Sequence, residues 1–408
     1  MSDLNSTTPS RAQHIIFIIV TVSFWASLYT YVPILSPYLE HLGASYSFAG
    51  LVLGSYGLVQ IVLRLPLGIA SDRLKARKPF MMLGMLATSL SCIFFAWGEH
   101  MGWALAGRIM SGIGASTWAA FTVLYASYFR QEHMTRAMGL ISLLTAAGQL
   151  LGMGISGYLV EEWGWSATFW AGSFIGVAGL LVSIGIREPK QSITLQPIRL
   201  SGLLQVMKEP LLLKVSVLSI LAHCVLFITM FGFTPSLALA LGANKLDLTV
   251  LVFAFMIPHA LTSFLSGRVL APKFGSWQVV AVAFVCSALC TVVMPLVNSF
   301  SMLLLTQIFN GFFQGLHFPL LLGLVIQHIQ PEKRATAMGF YQAVYAMGMF
   351  AGPFMAGWLN EFGGLNSGFY FAGILGFVAA ALTWTWKKSQ VDNEMSLPKI
   401  RNQQEVNS

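Results

Sequence analysis

Residues 137–157 read AMGLISLLTAAGQLLGMGISG, and residues 337–357 read AMGFYQAVYAMGMFAGPFMAG. Both open on Ala-Met-Gly. Gly148, Gly152 and Gly157 in the first return as Gly348, Gly352 and Gly357 in the second, at an offset of 200. Leu42-Gly43-Ala44 returns as Leu241-Gly242-Ala243, Gly68 as Gly267 and Gly112 as Gly311, each 199 apart. A near-constant offset held through several segments means that one unit of about half the chain occurs twice.

Each copy is built from apolar runs. Twelve follow one another, at roughly 14–39, 47–70, 79–97, 101–127, 137–160, 167–186, 213–241, 247–270, 277–296, 301–328, 336–360 and 367–386. A bilayer core about 30 Å thick needs about 20 helical residues, so each run is long enough to span. Composition agrees: 56% of the 408 residues are apolar and 9% charged, against about 45–50% and about 25% in soluble domains. This excludes a soluble enzyme and a disordered chain. Residues 1–13 are polar and the first run can span, so no cleaved leader is expected. The expected organisation is a tail (1–13), a six-helix bundle (14–186), a linker (187–212), a second six-helix bundle (213–386) and a tail (387–408).

The net charge of +8 is dispersed through the polar breaks rather than gathered in a patch, so no nucleic-acid partner is expected. Twenty of the 23 basic side chains fall in one alternate set of breaks, and one, Lys245, falls in the other. Arg64 and Arg108 lie inside runs. The positive-inside rule then puts both termini in the cytosol. Cys92, Cys224, Cys286 and Cys290 all lie in apolar runs without metal-ligand spacing, so neither a disulfide framework nor a metal site is expected. No cofactor motif is visible, and the pattern of an ATP-binding P-loop is absent.

Two six-helix units inserted with the same orientation are parallel repeats about an axis along the membrane normal. The chain at this point resembles the major facilitator superfamily over about 14–386. The sharpest motif is Gly68-Ile69-Ala70-Ser71-Asp72-Arg73-Leu74-Lys75-Ala76-Arg77-Lys78, similar to the family loop G-x-x-x-D-R-x-G-R-K with Ala76 in place of Gly. Gly68 allows close helix approach. The resemblance implies a conformational switch in Gly68, Asp72, Arg73, Arg77 and Lys78. There Asp72 would latch onto the start of the eleventh span, near 331–338, and onto Arg130 or Arg136. Arg108-Ile109-Met110-Ser111-Gly112-Ile113-Gly114 resembles the family's R-x-x-x-G-x-G, which ties Arg108 to substrate or proton coupling. Gly148, Gly152 and Gly157 look like the antiporter glycine motif, with Met153 where that motif has proline. The Gly-Pro pair stands instead in the eleventh span, as Gly352-Pro353. These positions, with Gly348 and Gly357, are expected to act in packing and gating.

The resemblance also implies that the first, fourth, seventh and tenth spans line a central cavity. Gln307, Asn310, Gln314 and His317 recur at i, i+3, i+7 and i+10 and so share one face of the tenth span. Arg108, Ser111 and Trp118 do the same on the fourth, and the 199 offset pairs them with Gln307, Asn310 and His317. A polar face at bilayer depth needs water, a ligand or a partner. Trp25, Tyr29, Trp118, Tyr125 and Tyr345 would supply apolar walls. Gln60, Arg64, His223 and His259 complete the candidate substrate and proton pathway. Arg64 is near enough to the cytosolic end for its side chain to snorkel there.

All 15 carboxylates fall in the breaks or, for Asp247, at the outer edge of a run, nine on the cytosolic side and six outside. The deep ionisable groups are therefore cations and histidines. A cavity without an acid is expected to prefer neutral, zwitterionic or anionic amphiphiles. The expected function is a proton-coupled, alternating-access exporter of such molecules, monomeric in a bacterial cytoplasmic membrane. An uptake symporter or uniporter for an organic anion or sugar is the alternative. A membrane sensor would need an output domain, and an enzyme a convergent reactive set, and neither is visible.

Overall fold

The structure, a computed structural model, describes residues 10–98, 100–129, 133–189, 208–327, 329 and 334–396; for 134–136, 326–327, 334–336 and 388–396 it describes backbone alone. The described residues are helical throughout and contain no strand. Eleven segments are long and apolar enough to cross a membrane: α1 (Arg11–His41), α2 (Tyr46–Leu74), α3 (Lys78–Ala96), α4 (Met101–Ala126), α5 (Ala137–Trp163), α6 (Trp165–Ser183), α7 (Pro210–Ala240), α8 (Asp247–Phe274), α9 (Ser276–Leu296), α10 (Phe300–Val325) and α12 (Asn366–Lys387). The remaining helix, α11 (Arg334–Gly363), has 30 residues. Glycines and the polar Gln342 and Asn360 dilute its apolar character, and it packs along α2.

Local chemistry sets the turns. Ser45 caps α2 by accepting from the Phe48 N–H at 3.2 Å, and Ser299 caps α10 from Met302 at 3.3 Å. Gly43, Gly164, Gly242, Gly275 and Gly364 all take positive φ between spans, a backbone region in which a Cβ is penalised. Gly43 pairs with Gly242 and Gly164 with Gly364 by the repeat offset. Lys75, at φ 48°, is the non-glycine residue that holds the place equivalent to Gly275.

The packing repeats as the sequence does. In the first half α1 packs on α5 and α6, α3 on α4 and α6, and α2 on α4. In the second half α7 packs on α11 and α12, α9 on α10 and α12, and α8 on α10. Two helix pairs, α2–α11 and α5–α8, join the halves, and each is the symmetry mate of the other. Large apolar side chains such as Leu143, Phe174, Leu305 and Phe377 stay exposed, as a lipid-facing surface requires.

Four helices, α1, α4, α7 and α10, are interrupted. α1 tightens into a 3₁₀ turn at Val32–Ile34, where Pro33 removes a donor. α7 widens into a π turn at Thr229–Phe233. α4 breaks at Thr117, between Ser116 and Trp118, and α10 at Gly315 and Leu316. These are the helices that the family resemblance assigns to the cavity. Breaks at depth free backbone groups and mark functional segments. α8 carries a further π turn at Ser266–Leu270.

The halves close on one another at the end that holds Glu40. Ser36 and Ser236, equivalent in the two repeats, share a 2.6 Å hydrogen bond across the seam. The Ser47 N–H donates to Glu361 at 3.0 Å, and the Lys245 ammonium lies 5.0 Å from the Trp165 ring centre. A Cβ on Gly50 would meet Pro353 and Gly357, and one on Gly57 would meet Phe350 and Ala346. Towards the Asp72 end, by contrast, a Cβ on Gly68, Gly139 or Gly267 would have nothing within 4 Å. Gly50→Val should therefore cost about 1–3 kcal/mol through overpacking, and Gly68→Ala should stay near wild type. Thermal unfolding of the purified protein in detergent checks both; a stable Gly50→Val would contradict the tight seam.

Candidate functional site

Arg108 is 2% exposed. Its guanidinium lies 4.5 Å from the centre of the Tyr56 ring on α2, a contact that gains strength when water is excluded. The Arg108 Nε is buried without a partner. Leu28, Tyr29 and Val32 of α1, Tyr56, and Phe227 and Phe231 of α7 close around it as a narrow crevice between the halves. Tyr29 meets Phe231 edge to face at 5.6 Å, and Tyr56 stacks on Phe227 at 6.0 Å. The crevice is thus apolar and aromatic with one cation in its wall. Ser111 does not face it, because its hydroxyl donates to the Arg108 carbonyl at 2.6 Å. Trp118 stacks on Phe121 at 5.4 Å and meets Trp25 edge to face at 4.9 Å. The Trp25 indole N–H has no partner.

Arg64 corrects the expectation that it snorkels. It is 6% exposed and turns inward. One terminal nitrogen donates to the Tyr345 hydroxyl of α11 at 3.0 Å. The other donates to Gln60 at 2.5 Å and to the Ala115 carbonyl at 3.4 Å. These neutral acceptors outcompete the headgroup region because they converge at one point, two of them within the same half and one across the seam. Gln60 in turn donates to the Tyr56 carbonyl at 3.2 Å and touches Met349 sulfur at 3.9 Å. His223 of α7 stacks flat on Tyr345 at 4.2 Å, and its Nδ1 donates to the Ser219 carbonyl at 2.7 Å. Tyr345 was legible only as an aromatic in the eleventh span; its part in joining the halves was not.

The polar face of α10 turns into its own half. Asn310 accepts from Ser287 of α9 and from Gln314, both at 2.9 Å. Gln314 also reaches Thr229, at the π turn of α7, at 3.5 Å. His317 stacks on Phe284 at 4.0 Å. Gln307 Oε1, Asn310 Nδ2, Gln314 Oε1 and His317 Nε2 are buried without partners. A row of orphaned polar atoms at depth calls for water or ligand. The α10 face therefore does not converge with Arg108, which looks towards α2. His259 stacks on Phe255 at 5.6 Å, and its Nδ1 is also unpartnered.

The glycines named for packing all sit at backbone contacts. A Cβ on Gly148 would meet Trp25 at 2.7 Å, and one on Gly152 would meet Ala26. Gly348 and Gly352 lie equivalently against Ile220 and Cys224 of α7. Gly157 lies on Lys245 and Thr249 across the seam, and Gly357 on Tyr46 and Gly50.

In the loop at 71–78, Asp72 pairs with Arg77 at 2.5 Å, and Arg77 also donates to Ser71 at 2.7 Å. Arg73 is exposed. The expected latch partners, Arg130, the Arg136 side chain and 331–333, lie outside the described residues. One partner was missed. Glu188, after α6, accepts from the Arg77 N–H at 2.7 Å and the Lys78 N–H at 3.2 Å. It thereby supplies an anion to the N-terminus of α3. Lys78 Nζ donates to the Ile184 carbonyl at 2.5 Å. Nearby, Tyr128 donates to the Arg187 carbonyl at 2.8 Å; burial first, then the Glu188 charge, pushes its phenol up to about 12.

Among the described residues, two helical bundles related by the internal repeat meet around an aromatic crevice that holds one buried cation. A family model described as the Major Facilitator Superfamily matches residues 17–235 and again 215–402. The chain belongs to that superfamily of membrane transporters. It is 25% identical over 343 residues to the inner membrane transport protein YajR of Escherichia coli K12, covering 82% of this chain and 74% of that one. It is 24% identical over 368 residues to multidrug resistance protein 1 of Bacillus subtilis 168, covering 87% and 91%. The crystal structure of the nucleoside transporter NupG superposes with a TM-score of 0.75 at 14% identity, covering 93% of this chain and 99% of that one. The chain is a multi-pass membrane protein, and its bacterial relatives are consistent with a bacterial cell membrane.

The Glu188 contact generates a prediction. Glu188→Ala should cost about 0.5–2 kcal/mol by leaving two helix-terminal N–H groups unmet, and Glu188→Gln less. Thermal unfolding of the three proteins side by side measures the order, and equal stabilities would show that the contact contributes nothing.

Proposed function

We propose that the protein exports small neutral, zwitterionic or anionic amphiphiles across the cytoplasmic membrane by alternating access, in exchange for protons. The observation that carries this reading is the crevice itself. Aromatic walls from both halves enclose Arg108, and the chain's carboxylates lie in the breaks or, as Asp247, at the very end of a run. A lone cation in an apolar wall repels cationic cargo and favours an acceptor or an anion. The name of the Bacillus subtilis relative, a multidrug resistance protein, supports efflux over uptake.

With the Asp72 end in the cytosol, the orientation that the distribution of Lys and Arg supports, the closed Glu40 end is the outer gate. The arrangement is then inward-facing. Asp72, held here by Arg77, would exchange that partner for α11 when the inner end closes over Gly68. Cysteine substituted for Lys245 should react with an impermeant maleimide added to intact cells. Cysteine at Lys75 should react only after permeabilisation. The reverse pattern overturns the orientation.

The central test uses protein in liposomes with an imposed pH gradient and a pH-sensitive dye inside. A neutral or anionic aromatic amphiphile should move protons, cations such as tetraphenylphosphonium should move few, and Arg108→Ala should lower the rate at least tenfold. Asp72→Asn should slow turnover while leaving substrate affinity unchanged. Solute flux without proton movement would replace exchange by uniport. A preference for the cation would overturn the substrate class.

A further inference from the structure

Arg64 presents a charge problem that the crevice around Arg108 leaves unsolved. Its guanidinium is buried, and its described hydrogen-bond partners, Tyr345, Gln60 and Ala115, are all neutral. Its Nε is buried with no acceptor at all. Asp72, the acid on the same helix, is eight residues on, about 12 Å along the axis, and is paired with Arg77. A buried cation needs an opposite charge or converging acceptors to offset its lost hydration. Here three of five N–H donors are matched, two are not, and the charge faces only the Tyr345 ring at 5.7 Å and no described anion.

Arg64 also differs from Arg108 in what holds it. Arg108 rests on the face of Tyr56, on its own half. Arg64 reaches across the seam to a hydroxyl of the other half. That hydroxyl accepts from Arg64 and so keeps its own hydrogen free to donate. His223 fixes the Tyr345 ring from behind by flat stacking. An N–H from one half and an O–H from the other thus converge on the same small region.

We propose that this region is an anion site. A carboxylate or another singly charged anion binds at the unmatched Nε edge of Arg64, beside the Tyr345 hydroxyl that Arg64 already holds, and so bridges the halves. The site rests on the substrate class proposed above and gives the two parts of an anionic cargo two places. The apolar body lies among Tyr29, Tyr56, Phe227 and Phe231, and the charged group lies at Arg64. Tyr56 and Arg64 are eight residues apart on α2, about 12 Å, so an elongated amphiphile spans both. A free monatomic anion such as chloride has the same chemistry and could fill the charged end alone.

The test is equilibrium binding to the full chain in lipid nanodiscs, with 2-naphthoate and its neutral isostere 2-naphthamide as probes, in gluconate buffer. Wild type should bind the carboxylate at least tenfold more tightly than the amide. Arg64→Gln should erase that difference while leaving amide affinity within about threefold. Arg64→Lys, which keeps the charge, should retain part of the preference. Chloride that competes with naphthoate in wild type identifies the free ion as a second ligand of the site. Chloride that does not compete leaves the cargo's own group as the ligand. Thermal unfolding in chloride against gluconate reads the site without an amphiphile, and a shift lost in Arg64→Gln supports it.

The anion site is overturned if the carboxylate preference is absent in wild type or survives in Arg64→Gln. If neither naphthyl compound binds, the proposed substrate class fails. The anion site then stands or falls on the chloride shift alone.

Discussion

Glycine against backbone holds the two halves together. In lipid, helices gain little from burying apolar surface on one another, because the surrounding tails are equally apolar. Association depends on close van der Waals approach and on hydrogen bonds, and both need small residues. α2 and α11 meet where Gly50 faces Gly357 and Pro353, and α5 meets α8 where Gly157 faces Lys245 and Thr249. The Ser36–Ser236 bond sits between these two contacts, on the pseudo-twofold axis. What happens at depth follows from this seam. It brings Tyr345 within reach of Arg64, and it folds Phe227 and Phe231 over the Arg108 crevice.

The same seam is one-sided. α2 and α11 touch through Gly57 and are bridged by Gln60 and Arg64, whereas Gly68 borders a small void against Phe80 and Thr117 of its own half. Besides α8 with its π turn, four helices have interrupted hydrogen-bond ladders, α1, α4, α7 and α10, and these are places where a helix can bend. Their breaks fall at equivalent places in the two repeats, so each half carries its own pair of hinges.

Much of this was legible in the sequence. The twelve runs, the duplication and the family follow from hydropathy, a constant offset and one loop, because lipid forbids most other solutions. The packing glycines were legible for the same reason, since a glycine repeated at 200 residues in a helix has few uses besides close approach. Side-chain direction was not. Helical spacing shows that Gln307, Asn310, Gln314 and His317 share a face, but not that the face turns to Ser287 and Thr229 inside one half. Arg64 was read by its distance from the membrane edge, and that distance says nothing of Tyr345, 281 residues away. Glu188 was counted as one more rim acid, because nothing in the sequence near it points to the N-terminus of α3.

Arg64 and Arg108 have a consequence for energetics that concerns the membrane rather than the cargo. Both belong to the same half, and both are positive in a region where the transmembrane voltage falls. Moving one elementary charge through the whole field is worth about 2.3 kcal/mol per 100 mV. A half that rocks with two uncompensated cations aboard therefore does electrical work when empty, and less when an anion travels with it. If the halves rock as proposed, the membrane potential would act as a force on the empty carrier and bias which end is open before any substrate arrives.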